Sequence, residues 1–152
     1  MELSLKGKNA IVTGGSKGLG ADIAVSLAKS GAYVAVLGRD IKGLEKTKSL
    51  IEDTGGHCHL IQVDLKEVNL IEEAAKKLLE LNSSWDILIN NAGIAKAAPL
   101  LELAAKDWDD IYQVNLRAAF LLSKYIVPGM IAKRYGKIIN VSSLGTFLEP
   151  LA

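Results

Sequence analysis

The stretch Thr13-Gly14-Gly15-Ser16-Lys17-Gly18-Leu19-Gly20 follows the apolar run Ala10-Ile11-Val12 and leads into Leu19, Ile23, Ala24, Leu27 and Ala28 at helical spacing. A β-branched run, a glycine turn and an amphipathic helix in succession mark the first strand-to-helix unit of a doubly wound α/β fold. Such a turn brings backbone N–H groups and the positive end of the helix dipole against a diphosphate, and glycines permit the close approach. Gly14 is expected to let the chain leave the strand, Gly18 to let phosphates approach, and Gly20 to let the helix pack on the sheet. Ser16, Lys17 and Leu19 complete the expected phosphate-facing turn. The alternative is an ordinary Gly-rich turn without a ligand. A nucleoside-triphosphatase loop ends in Gly-Lys-Ser/Thr, whereas Lys17 precedes Gly18-Leu19, so that reading fails on the residues themselves.

The same alternation continues along the chain. Strands are expected over Asn9 to Thr13, Tyr33 to Leu37, Leu60 to Val63, Ile87 to Asn90 and Lys137 to Val141. Their nearly continuous apolar character is that of a parallel sheet covered by helices on both faces. Ile71, Ala74, Ala75, Leu78 and Leu79 repeat at helical spacing, and Asp40 is placed to cap a helix carrying Leu44, Leu50 and Ile51. The longest helix is expected from near Asp107 to past Ile126, with Pro128-Gly129 disturbing its end. No repeat or linker interrupts residues 1–152, which read as one domain.

Composition narrows the function classes. With 18 Lys+Arg against 17 Asp+Glu, interleaved along the chain, there is no electrostatic case for nucleic acid or an anionic membrane surface. The longest stretch without a charged residue, Ile138 to Leu148, is too short and too polar to span a bilayer. No signal peptide is read at Met1-Glu2-Leu3-Ser4-Leu5-Lys6, and the single Cys58 fits a reducing cytoplasm. His57-Cys58-His59 lacks the further ligands that a closed zinc site needs, and is read as a surface strand entry rather than a metal site. Trp85 and Trp108 are read as packing residues, and Lys133-Arg134 as a solvated helix end.

The glycine spacing Thr-Gly-x-x-x-Gly-x-Gly resembles that of the short-chain dehydrogenase/reductase family, and four further motifs carry the resemblance in order. Asp64-Leu65 resembles the family's adenine-contacting site, and Asn90-Asn91-Ala92-Gly93 its Asn-Asn-Ala-Gly motif. Asn115, in Val114-Asn115-Leu116, matches the helix Asn of its catalytic tetrad. Ile138-Ile139-Asn140-Val141-Ser142-Ser143 matches the strand that delivers its catalytic Ser. The resemblance implies a Rossmann fold, truncated here after the fifth strand. It also implies hydride transfer between a nicotinamide cofactor and a small-molecule carbonyl or alcohol, and a homo-oligomer in the full-length form. 3-Oxoacyl-thioester reduction is the commonest theme among similar sequences, though no residue here selects it.

An acid just beyond the second strand would accept hydrogen bonds from the 2′-hydroxyl of NAD. Gly38 stands there, followed by Arg39, whose guanidinium suits the 2′-phosphate of NADP, with Lys17 as a second cation. These residues favour NADP over NAD. Asp40 competes as a ribose acid but is better read as a helix cap. The cofactor is thus expected against Gly14, Ser16, Lys17, Gly18, Leu19, Gly20, Arg39, Asp64, Leu65, Asn91, Ala92 and Gly93.

The resemblance gives Ser143 the substrate oxygen, and gives Asn115 an ordered water in a proton relay. It also calls for a Tyr with a Lys four residues on, yet Tyr33, Tyr112, Tyr125 and Tyr135 are followed at that distance by Leu37, Leu116, Gly129 and Ile139. The chain is therefore expected to be a portion of a longer enzyme and inactive alone. A non-catalytic NADP-binding fragment is the alternative, and a methyltransferase a weaker one that the Asn-Asn-Ala-Gly and Ser-Ser motifs oppose. Without the following elements, Lys137 to Val141 should form an open hydrophobic edge, and Ile111, Ala118, Leu122 and Tyr125 should lose part of their cover.

Overall fold

The computed structural model describes residues 4–143. In chain order it contains β1 (Asn9–Thr13), α1 (Gly18–Lys29), β2 (Tyr33–Gly38), α2 (Ile41–Glu52), β3 (His57–Gln62) and α3 (Val68–Leu81). There follow β4 (Ile87–Asn90), α4 (Ala105–Tyr112), a π-helical turn (Gln113–Arg117), α5 (Ala118–Ala132) and β5 (Lys137–Asn140). The strands form one parallel sheet in the order β3-β2-β1-β4-β5. This is the doubly wound Rossmann arrangement that the alternation predicts, with its switch point between β1 and β4.

Strand alternation divides the core into two layers. Ile11, Ala35, Leu37 and Leu88 face one side and pack with Ile71, Ala74 and Leu78 of α3 and Leu122 and Ile126 of α5. Ala10, Val12, Val34, Val36, Ile87 and Ile89 face the other and pack with Ala24 and Ala28 of α1 and Leu44 and Ile51 of α2. Fully buried Trp85 joins the first layer, its indole N–H donating to the carbonyl of Leu78 at 2.9 Å. Trp108, expected to pack, is 64% exposed on α4.

Several boundaries differ from expectation. The third strand is His57–Gln62 rather than Leu60 to Val63, paired from Tyr33↔His57 to Gly38↔Gln62. It is an outer strand, so His57, His59 and Gln62 can face solvent while Cys58 and Ile61 are buried, and polarity hides it from an apolar-run criterion. Cys58 is thus a buried side chain, not a surface one, and burial pushes its thiol up to about 11. Asp40 occupies the N-cap position of α2 but makes no side-chain cap bond.

The long helix starts at Ala105 and continues through Pro128 to Ala132. It stops where Arg134 turns left-handed at φ 53°, with Arg134 N–H on Ile131 O and Tyr135 N–H on Met130 O, both at 3.0 Å. Strand β5 is an outer strand with exposed Ile138 and Ile139, as expected. Of the four residues expected to lose part of their cover, Ala118 and Leu122 are instead buried in the first layer, and Ile111 and Tyr125 are half-buried.

Asp86 ties the sheet together opposite the glycine turn. Its Oδ2 accepts the N–H of Asn9 at 2.8 Å and its Oδ1 accepts Lys133 Nζ at 2.8 Å, so Lys133 is an ion-pair partner rather than a solvated end. Its backbone bonds Asn9 O on β1 and Lys137 N on β5. Burial pushes the carboxyl up, but the Lys133 hydrogen bond, the Asn9 N–H and the charges of Lys133 and Lys8 outweigh it and hold it below the usual aspartate value. Its stabilisation is therefore complete above the unfolded aspartate value and is lost as pH falls through the lower folded one. Asp86→Ala is expected to cost about 2 kcal/mol in urea unfolding at pH 7, the range for charge-assisted hydrogen bonds, and distinctly less near pH 2.

Candidate cofactor cleft

Both β1 and β4 end at the switch point, where the chain must leave the sheet in two directions and a crevice opens. The buried hydroxyl of Thr13, the last residue of β1, accepts the N–H groups of Asn91 at 3.0 Å and Ala92 at 2.9 Å. The Asn91 amide in turn donates to Thr13 O at 3.0 Å. The segment after β4 is thereby clamped to the glycine turn. Gly14 leaves the strand at φ 67°, its pro-Cβ position only 2.9 Å from Ala92 Cα. Gly18 has φ 53° and open space over it, a cradle that any Cβ would begin to fill. A Cβ on Gly20 would collide with the Gly14 carbonyl and the Asn91 amide, so α1 reaches the turn only with glycine there.

Above these strand ends lies a cleft of about 760 Å³. Every residue expected to meet the cofactor borders it: Gly14, Ser16, Lys17, Gly18, Leu19 and Gly20 from the first turn, Arg39 after β2, Asp64 and Leu65 after β3, and Asn91, Ala92 and Gly93 after β4. Gly38, Asp40, Val63, Ile94 and Val114 also border it. Arg39 and Lys17 are exposed at its rim, and Gln62 Nε2 fixes the Arg39 carbonyl at 2.9 Å. Asp64 Oδ1 accepts the N–H of Lys66 at 3.0 Å.

Asn115 and Ser143 stand outside the cleft lining. Asn115 lies in the π-helical turn, its Oδ1 accepting Ile94 N–H and its Nδ2 donating to Ile94 O, both at 2.9 Å. Both ends of its amide thus hold the segment after β4. Ser143 follows β5 on the exposed surface. Strand β5 is fixed to β4 by Asn90 Nδ2 on Asn140 Oδ1 and Val141 N–H on Asn90 O, each 2.9 Å. Sequence reading assigned no role to Thr13, Asn140 or Lys66. Their partners lie on other elements, so no local signal marks them.

A family model described as short chain dehydrogenase matches residues 8–151. The chain belongs to the short-chain dehydrogenase family. It is 42% identical over 150 residues to the uncharacterized oxidoreductase YgcW of Escherichia coli (strain K12), covering 95% of this chain and 55% of that one. It is 34% identical over 146 residues to the 3-oxoacyl-acyl-carrier-protein reductase FabG of Buchnera aphidicola subsp. Schizaphis graminum, covering 96% of this chain and 59% of that one. Among solved structures, a metagenomic short-chain oxidoreductase in complex with NADP superposes with a TM-score of 0.91 at 38% identity, covering 97% of this chain and 67% of that chain. The chain thus spans 55% and 59% of the length of these two curated relatives.

The two glycine contacts separate in a denaturation experiment. Gly20→Ala is expected to destabilise the short-chain dehydrogenase fold by about 2 to 3 kcal/mol through backbone overpacking. Gly18→Ala should cost only about 1 kcal/mol of left-handed backbone strain, because no atom stands in its way. Urea midpoints in the reverse order would contradict this packing of α1 on the turn.

Proposed function

We propose that this chain binds NADP in the cleft and contributes Ser143 and Asn115 to hydride transfer between the nicotinamide and a carbonyl or alcohol carbon. The observation that carries the cofactor choice is the turn after β2. Arg39 is exposed at the cleft rim with its backbone pinned by Gln62, one residue beyond Gly38, where an acid would favour a ribose hydroxyl. The ribose-acid reading of Asp40 is weakened by its position. Its Oδ2 lies 2.8 Å from the point where a Cβ on Gly43 would stand, which turns the carboxylate toward the start of α2. The cradle over Gly18 suits a diphosphate, held by backbone N–H groups at the start of α1. Arg39 would bind the 2′-phosphate as a fork, with Lys17 adding charge.

When bound, the cofactor supplies or receives the hydride. Ser143 would donate a hydrogen bond to the substrate oxygen and stabilise its developing charge. Asn115 would act chiefly by holding the segment after β4 through Ile94. The proton donor is the part that these residues lack. Tyr33 packs on Trp85, Tyr125 donates to Glu72 at 2.8 Å, Tyr135 lies beneath Lys8, and Tyr112 is exposed on α4. The Glu72 hydrogen bond raises the Tyr125 pKa, the wrong direction for a proton donor near neutral pH. Turnover would therefore need a Tyr/Lys pair from polypeptide beyond these residues. The catalytically incomplete NADP-binding fragment is the second reading, favoured by that same placement of the tyrosines. The exposed Trp108, Tyr112, Leu116 and Phe120 along α4 to α5 support self-association.

Calorimetric titration of the chain with NADP and NAD tests the cofactor. NADP should bind more tightly, and Arg39→Ala should weaken NADP about tenfold, worth about 1.4 kcal/mol, with little effect on NAD. Equal losses for the two cofactors, or tighter NAD binding by the parent chain, would overturn the proposal. NADPH oxidation with ketone substrates should be absent for the 152-residue chain alone.

A further inference from the structure

Every polar group of Lys66, in the loop after β3, is engaged in a different direction. Its backbone N–H donates to Asp64 Oδ1 at 3.0 Å, on the cleft wall. Its carbonyl accepts Arg117 Nη2 at 2.6 Å, from the last residue of the π-helical turn. Its ammonium reaches Asp110 Oδ2 on α4 at 2.6 Å, an oxygen shared with Lys106 at 2.8 Å. The pair is largely shielded, with the Lys66 and Asp110 side chains 23% and 19% exposed. Arg117 Nε is buried without a hydrogen-bond partner among the described residues, a polar group held out of water at a desolvation cost.

The backbone beside Asp64 is held by Val63 N–H on Gly38 O at 2.9 Å, by Glu67 N–H on Asp64 O at 3.2 Å and by the burial of Leu65 in the first core layer, while the Asp64 carboxylate is oriented through the Lys66 N–H alone among the described residues. The two bonds from the long helix clamp that turn at its carbonyl and at its side chain. We infer that Lys66 is a positioning residue, tethered by Asp110 and Arg117, that fixes the Asp64 carboxylate for the adenosine end of the cofactor. The inference rests on the NADP reading of the cleft and extends it to residues outside the cleft lining. The tether also joins the loop to the segment that carries Asn115, so one helix braces two walls of the same cleft.

Titration with 2′,5′-ADP, the adenosine half of NADP, tests the inference in the 152-residue chain. Asp110→Asn and Lys66→Met should each weaken 2′,5′-ADP binding about fivefold, the low end of measured coupling between sites, and Asp110→Glu should restore it. Exchange of the Lys66 amide hydrogen should quicken in both weakened variants while amides of β1 stay protected, a local change that a general loss of stability would not produce. Unchanged 2′,5′-ADP affinity in folded Asp110→Asn and Lys66→Met overturns the inference and leaves the NADP reading intact. A parent chain that binds no 2′,5′-ADP overturns both.

Discussion

The hydroxyl of Thr13 is the point on which the cleft turns. It ends the central strand, it is buried, and it accepts two backbone N–H groups from the segment after β4. A parallel sheet that reverses its winding must split its chain exits at this place, and the exits would otherwise leave buried donors unpaired. One side-chain oxygen satisfies both and sets the distance between the glycine turn and the Asn-Asn-Ala-Gly segment. The tight contacts at Gly14 and Gly20 follow from that closeness, since the turn, α1 and Asn91 compete for the same space.

From the clamp, fixed geometry spreads to the other walls. Asn90 passes it to β5 through Asn140 and Val141, and hence toward Ser142 and Ser143. Asn115 passes it from Ile94 to the π-helical turn, and Arg117 and Asp110 pass it from there to Lys66 and Asp64. A wide π turn amid a regular helix is a costly local structure found often at functional sites. Here it carries both Asn115, which bonds the segment after β4, and Arg117, which bonds the loop after β3.

The opposite end of the sheet is closed by charge. Asp86 gathers Asn9, Lys133 and Lys8 where β1, β4, β5 and the end of α5 meet, far from the cleft. The two outer strands are finished differently. Strand β3 shows solvent its polar His57, His59 and Gln62, whereas β5 exposes Ile138 and Ile139. An apolar outer strand offers unpaired backbone groups and a hydrophobic surface to a further strand.

The sequence by itself determined the doubly wound class, most strand positions and the residues of the strand-end turns that border the cleft. Those features are local: glycines where the backbone needs them, β-branched runs, helical spacing and motifs in fixed order. Local patterning misplaced what depends on neighbours. The start of β3 is polar because it lies at the edge, Cys58 is buried beside α2, and Pro128 lies within α5 rather than at its end. Only the tertiary structure decided that Thr13, Lys66 and Asp86 organise the molecule. Each acts through hydrogen bonds or ion pairs to residues tens of positions away, and such partnerships leave no periodicity in a single chain.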